Sequence, residues 1–90
     1  MMKNVCFTGT ERKALNKVIE SFGVNTRIVT KTDTKGAEYD RFFDDFDGST
    51  APVSEGLSWI KAKTGSKPLS EAGLTDKEAK CVKKLFEAYT

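Results

Sequence analysis

The chain has 90 residues, of which 38% are hydrophobic and 31% are charged. This balance is that of a globular protein rather than a disordered one, and the length allows one modest core but no second core. We therefore expect a single domain, residues 1–90, that is a binding module and not an enzyme with a deep active site. Histidine is absent, which excludes the usual general base and the usual zinc ligand.

The net charge of +2 is too small to indicate nucleic-acid binding by itself. No apolar run approaches the length of a membrane span, and the start of the chain lacks the apolar segment of a signal peptide. Cys6 and Cys81 have neither a disulfide framework nor metal-ligand spacing, so we expect both to be reduced. These features predict a cytosolic protein that has no membrane contact, no metal and no other cofactor.

The first third of the chain has the pattern of a strand, a turn, a helix and a second strand. Residues 4–8 are apolar and β-favouring, and residues 8–10 suit a turn that caps a helix. Apolar residues then recur at helical spacing until Gly23, a good C-cap, and residues 24–30 are rich in β-branched side chains. We expect a right-handed βαβ crossover and therefore a small parallel sheet flanked by helices, an α/β fold.

An aromatic and acidic segment, residues 38–47, occupies the middle of the chain. Its aromatic residues recur at offsets of three, four and seven, which predicts an amphipathic helix with an acidic outer face. Residues 49–52 form a connection with room for a short third strand, and residues 54–63 predict another helix.

The C-terminal segment, residues 74–89, predicts an amphipathic helix. Thr75 and Glu78 match the capping-box pattern at its start, and apolar residues follow at helical spacing. Pro68 lies in the loop that we expect between this helix and the preceding one.

The turn at Thr8, Gly9 and Thr10 is the first candidate binding site. Unpaired N–H groups and the positive end of the helix dipole favour an anion at a helix N-terminus. The Thr8 hydroxyl and the Gly9 and Thr10 amides would hold one phosphate, with Arg12 or Lys13 as the nearby cation. Glycine-rich phosphate signatures are absent, so a threonine that only caps the helix explains the pattern equally well.

Lysines that lie off the apolar stripe of the C-terminal helix form a second candidate site: Lys77, Lys80, Lys83 and Lys84. Lysines on one solvated helix face neutralise phosphates and release counterions, so they are candidates for electrostatic contact with nucleic acid. Surface helices also carry lysines for solubility alone.

The N-terminal residues resemble the beginning of a BRCT domain, the module of DNA ligases, clamp loaders and damage-response proteins. In that family a strand that ends in Thr or Ser plus Gly precedes the first helix, glycines follow this helix, and a tryptophan lies on the last helix. Thr8 and Gly9 match the first feature, Gly23 matches the second in part, and Trp59 is a candidate for the third.

The resemblance implies a parallel sheet and recognition of a phosphorylated peptide or a DNA 5′-phosphate. It implies that Thr8 and the Gly9 amide contact the phosphate and that Lys35 supplies the cation. We therefore expect a non-catalytic binding module that acts in DNA transactions such as replication and repair, with DNA or a phosphorylated protein as its partner.

Two other functions remain as alternatives. A protein-interaction factor, such as an adaptor, an inhibitor or an acidic duplex mimic, would present the acidic residues of segment 38–47 to a basic partner. A small enzyme would need a metal bound by Asp44, Asp45 and Asp47, and the missing histidines count against it. The spacing of a calcium loop is not met, because Phe43 and Ser54 stand where that loop needs carboxylates.

Overall fold

The structure, a computed structural model, describes residues 5–64 and 69–89. This part of the chain contains three α-helices and three short strands. The elements are, in order, α1 (Gly9–Phe22), β1 (Thr26–Thr32), β2 (Glu38–Asp44), β3 (Thr50–Ala51), α2 (Val53–Thr64) and α3 (Asp76–Tyr89). A turn of 3-10 helix, Leu69–Ala72, precedes α3. The mixed α/β class is confirmed, and none of the helices described is long and apolar enough to cross a membrane. Pro68 lies outside the described residues.

The sheet is antiparallel throughout, with the strand order β1-β2-β3. β1 and β2 pair over seven residues, and β3 pairs with the last part of β2. Residues 5–8 lie beside β2, where the Asp40 amide donates to the Val5 carbonyl at 2.7 Å, but they are not part of the sheet. Position 4 lies outside the described residues. The predicted parallel sheet, and with it the βαβ crossover, is therefore wrong.

A short turn explains the antiparallel pairing. Only residues 33–37 connect β1 to β2, whereas parallel strands need a crossover of about a dozen residues or more. The Asp33 carboxylate accepts the N–H groups of Lys35 and Ala37, each at 2.9 Å, and Gly36 adopts a φ of 83°. The chain is therefore held in a tight hairpin.

The segment predicted as an amphipathic helix, residues 38–47, is instead β2 and the turn that follows it. Along β2 the side chains alternate between two faces, which leaves Asp40 and Phe42 buried at 3% and 0% exposure. A helix would have placed Asp40 on the solvent side, but the strand buries it against hydrogen-bond partners. The aromatic spacing alone did not distinguish the period of a helix from the period of a strand.

α1 and α2 pack on the face of the sheet that carries Phe42, and α3 packs on these two helices. The Phe42 ring contacts α2 at Gly56, where a Cβ atom would overlap it, so the glycine lets helix and sheet approach closely. Three residues that the sequence places on the inner side of α2 are buried: Val53, Leu57 and Ile60. The core continues between α1 and α3 through these buried residues: Ala14, Leu15, Val18, Ile19, Val82, Leu85 and Phe86.

The predicted helix ends of α1 and α3 are confirmed. Thr8 caps α1 in a capping box with Glu11, and Gly23 ends the helix with a φ of 65°. At the start of α3 the Glu78 N–H donates to the Thr75 hydroxyl at 3.2 Å, and the Thr75 N–H donates to the Glu78 carboxylate at 3.1 Å. Both helices therefore begin where local chemistry alone predicts.

Candidate nucleic-acid interface

The N-terminus of α1, the first predicted phosphate site, is occupied by its own side chains. The Glu11 N–H donates to the Thr8 hydroxyl at 3.2 Å, and the Thr8 N–H donates to the Glu11 carboxylate at 2.8 Å. This capping box places a negative charge where an anion would bind. Gly9 and Thr10 are exposed beside it. A phosphate at this position would have to displace the Glu11 side chain.

Arg12, the predicted cation of that site, is paired with Asp40. Its Nη2 donates to both carboxylate oxygens, at 3.0 and 3.1 Å. Asp40 also accepts the Phe7 N–H and the Thr30 hydroxyl, each at 2.7 Å. The Asp40 side chain is 1% exposed and that of Arg12 is 44% exposed. This network ties the chain before α1 to both long strands, which gives Arg12 a structural role.

The two other predicted phosphate contacts, Lys13 and Lys35, lie in different elements. Lys13 is exposed on α1, whereas Lys35 is exposed in the hairpin turn. Within residues 5–64 and 69–89, no hydrogen bond or ion pair joins Lys35 to Thr8. The residues predicted to share one phosphate are therefore distributed over a helix cap, a buried ion-pair network and a turn.

The four lysines of α3 divide into two groups. Lys77, Lys80 and Lys84 line an open depression of about 290 Å³ together with Cys81, and Lys83 is exposed outside it. Burial raises the pKa of the Cys81 thiol, the Glu11 carboxylate raises it further, and the Lys84 ammonium lowers it. The thiol is therefore protonated at neutral pH.

The face of the sheet that points away from the helices, which we call the outer face, carries six side chains of β1 and β2. They form three cross-strand pairs: Arg27 with Phe43, Val29 with Arg41, and Lys31 with Tyr39. Because side chains alternate along a strand, these residues point away from the side that buries Asp40 and Phe42. Arg27 and Lys31 are exposed, and the other four side chains are partly buried.

Charge is separated between the two faces of the sheet. The acidic residues of β2 all alternate to the inner face, which is the face that buries Asp40 and Phe42. They are Glu38, Asp40 and Asp44. The cations of β1 and β2 that alternate to the outer face are Arg27, Lys31 and Arg41. Diagonal neighbours on adjacent strands lie about 7–8 Å apart, so Arg41 lies between the other two cations at that spacing. The strand part of the outer face is therefore positively charged.

Each cross-strand pair on the outer face combines a cation with an apolar side chain. The Arg27 guanidinium lies 5.0 Å from the centroid of the Phe43 ring, which is a cation–π contact. Arg27 also pairs with Asp45 at 2.9 Å, at the end of the face. Both partners of that ion pair are exposed, at 63% and 44%, so it leaves the guanidinium accessible.

The sequence interpretation missed the outer face because it treated β2 as a helix. Within residues 38–44 the alternation was visible, since the three acidic residues occupy even positions and Tyr39, Arg41 and Phe43 occupy odd positions. A turn segment with a glycine between two β-favouring segments was a further signal of a hairpin. Together these two signals would have placed the cations and the rings on one face.

The carboxylates at the end of β2 and in the turn after it, residues 44–47, have partners within the protein. Asp44 accepts the Phe46 N–H at 2.8 Å, Asp45 pairs with Arg27, and Asp47 accepts the Ser49 hydroxyl and amide. The Ser49 hydroxyl, followed by its amide, lowers the pKa of Asp47. Across the described part of the chain, no three side chains of the metal-binding types lie close enough to hold an ion.

Similarity to known proteins does not assign this chain to a family. No family model matches it, and no curated protein and no solved structure is significantly similar to it. The resemblance to BRCT domains stays a prediction, while the parallel sheet that it implies is replaced by an antiparallel one.

Proposed function

We propose that this protein is a non-catalytic module that binds nucleic acid through the outer face of its sheet. The observation that carries the proposal is the grouping of Arg27, Lys31 and Arg41 on the outer face of β1 and β2. The acidic residues within these two strands all alternate to the inner face. This keeps the predicted ligand class, a phosphate-bearing partner, and moves the site from the N-terminus of α1 to the sheet.

The cations are suited to a ligand with repeated phosphates. A guanidinium group offers several N–H donors that match phosphate oxygens, and an ammonium group adds a compact charge. Arg41 lies diagonally between Lys31 and Arg27, so a phosphate backbone that crosses the two strands meets three positive groups in turn. A peptide with a single phosphoryl group presents one such anion, whereas a nucleic-acid strand presents one at every nucleotide. The arrangement therefore favours nucleic acid over a phosphorylated protein.

The salt dependence of binding tests the proposal. We expect labelled oligonucleotides to bind more weakly as salt rises, because each neutralised phosphate releases counterions. The double variant Lys31→Gln/Arg41→Gln should bind more weakly than the wild type and should lower the slope of log affinity against log salt by about two, one for each lost contact. Fluorescence anisotropy over a series of salt concentrations measures both quantities.

The matched control is Lys35→Gln/Lys83→Gln, which removes the same charge from exposed lysines outside the outer face. It should leave the slope close to that of the wild type. Equal losses in the two double variants would show that only net charge matters and would contradict the proposal. Binding of a phosphopeptide without binding of nucleic acid would contradict it as well.

The second candidate function, a protein-interaction factor, is favoured by one observation. Phe46 is 86% exposed in the acidic turn after β2, and no other large apolar side chain in the described part of the chain is comparably exposed. An aromatic side chain in such a position is a typical anchor for a protein partner. The predicted acidic helix is absent, so the surface of this candidate would be the turn. Phe46→Ser would then abolish partner capture, whereas Lys31→Gln/Arg41→Gln would leave it intact.

A further inference from the structure

The outer face carries two aromatic rings in addition to its cations. Tyr39 and Phe43 lie four residues apart on β2, which places them on the same face about 13 Å apart at 3.3 Å per residue. Both rings are partly exposed, although Phe42 between them is fully buried. Arg41 lies between the two rings on the same face. The face therefore alternates aromatic and cationic groups along one strand.

From this arrangement we infer that the ligand is single-stranded and that its unpaired bases stack on Tyr39 and Phe43. The inference rests on the proposed function, because it concerns the same face. Bases in a duplex are stacked on one another and offer only their edges, whereas unpaired bases offer an open π-face to an aromatic side chain. A row of cations alone does not distinguish a duplex from a single strand, whereas the two rings favour the single strand.

The cations flank the rings in a way that suits alternating bases and phosphates. Lys31 is opposite Tyr39, and Arg27 lies over the Phe43 ring. A guanidinium plane is itself a stacking surface for a base, so Arg27 and Phe43 together form one stacking position. Tyr39 forms the other, and the backbone between the two bases crosses Arg41.

The decisive experiment compares a single-stranded oligonucleotide, the duplex of the same sequence, and an abasic oligonucleotide of the same length. The wild-type protein should bind the single strand most tightly, because only that probe has both phosphates and unpaired bases. Tyr39→Leu and Phe43→Leu should each weaken single-strand binding by about 5- to 150-fold, the range that corresponds to base–aromatic stacking. Their affinity for the abasic probe and their salt slope should be unchanged.

Two variants serve as controls. Tyr39→Phe keeps the ring and should bind as the wild type does, which separates loss of the ring from loss of the fold. Phe46→Leu removes a ring that is 86% exposed outside the outer face and should have no effect. Thermal unfolding of each leucine variant, followed by circular dichroism, shows whether the fold is intact.

The outcomes separate the inference from the proposed function. Equal affinity for single strand and duplex, with both leucine variants silent, would overturn the inference and leave nucleic-acid binding in place. Tight single-strand binding that the abasic probe reproduces would overturn it too. The absence of salt-dependent binding to any of the three probes would overturn the proposed function itself.

Discussion

The N-terminus of α1 and the outer face of the sheet differ in what their polar groups contact. At the helix N-terminus, the Thr8 and Glu11 N–H groups bond within the capping box and Arg12 is held by Asp40, so the predicted cation and part of the cap already have partners within the protein. On the outer face, Arg27 contacts the Phe43 ring and an exposed Asp45, and Lys31 is exposed to solvent. A sequence identifies groups that are able to bind a phosphate, but only the fold shows which of them are available.

The comparison predicts that adjacent residues of β2 serve different purposes. Phe42→Ala should destabilise the protein by about 3–5 kcal/mol, since it leaves a cavity in the core under α2. Phe43→Ala should cost much less, because its ring is already partly exposed. Urea unfolding measures both changes. If Phe43→Ala were the more damaging change, the outer face would be structural and not a binding surface.

Asp40→Asn should have the next largest effect, about 2–4 kcal/mol, because a neutral amide replaces an acceptor that three donors share. The matched control is Asp45→Asn, whose ion pair with Arg27 is exposed and should contribute less than about 1 kcal/mol. Urea unfolding of the two variants is the measurement. Similar losses in the two would mean that the Asp40 network does not hold the start of α1 to the sheet.

The success of the sequence predictions depended on how local the interactions are. Thr8 with Glu11 and Thr75 with Glu78 form caps within four residues of sequence, so the starts of α1 and α3 were predicted from the chain alone. The identity of β2 as a strand depends on pairing with β1, and its aromatic spacing partly imitates a helix. Tertiary contacts, including the burial of Asp40, decide whether this segment is a helix or a strand.

The candidate site was harder to predict than the fold. Lys35 was placed near Thr8 by resemblance, whereas the hairpin turn puts it in a separate element. The outer face requires the register of two strands, since Lys31 meets Tyr39 and Arg27 meets Phe43 only in the observed pairing. A shift of one residue would send all of these side chains to the other face.

Thr8→Ala should have a smaller effect on stability than the changes in β2. Loss of the cap should destabilise the protein by about 1 kcal/mol and leave oligonucleotide affinity unchanged. Unfolding and anisotropy measured on the same preparation test both parts. A large loss of affinity with no loss of stability would place a phosphate at the N-terminus of α1, as the resemblance implies.

The smallest expected effect concerns the ion pair that joins α1 to α3. A hydrogen bond from Lys17 at 2.8 Å, followed by the Thr75 amide, lowers the pKa of Glu78 from its ordinary value of 4.5. Because the folded pKa is lower than the unfolded one, this carboxylate stabilises the fold above about pH 4.5, and the contribution is lost as the pH falls through the folded pKa. Lys17→Met should therefore flatten the loss of stability in acid. An unchanged acid profile in urea unfolding would contradict this assignment.

The central claim, that the outer face and not the helix N-terminus binds nucleic acid, is tested most directly by amide chemical-shift mapping. Titration of the ¹⁵N-labelled protein with a short single-stranded oligonucleotide should shift the amides of Arg27–Lys31 and Tyr39–Phe43. Amides of residues 8–13 and of α3 should move little. The largest shifts at residues 8–13 or in α3, with the two strands unaffected, would contradict the claim.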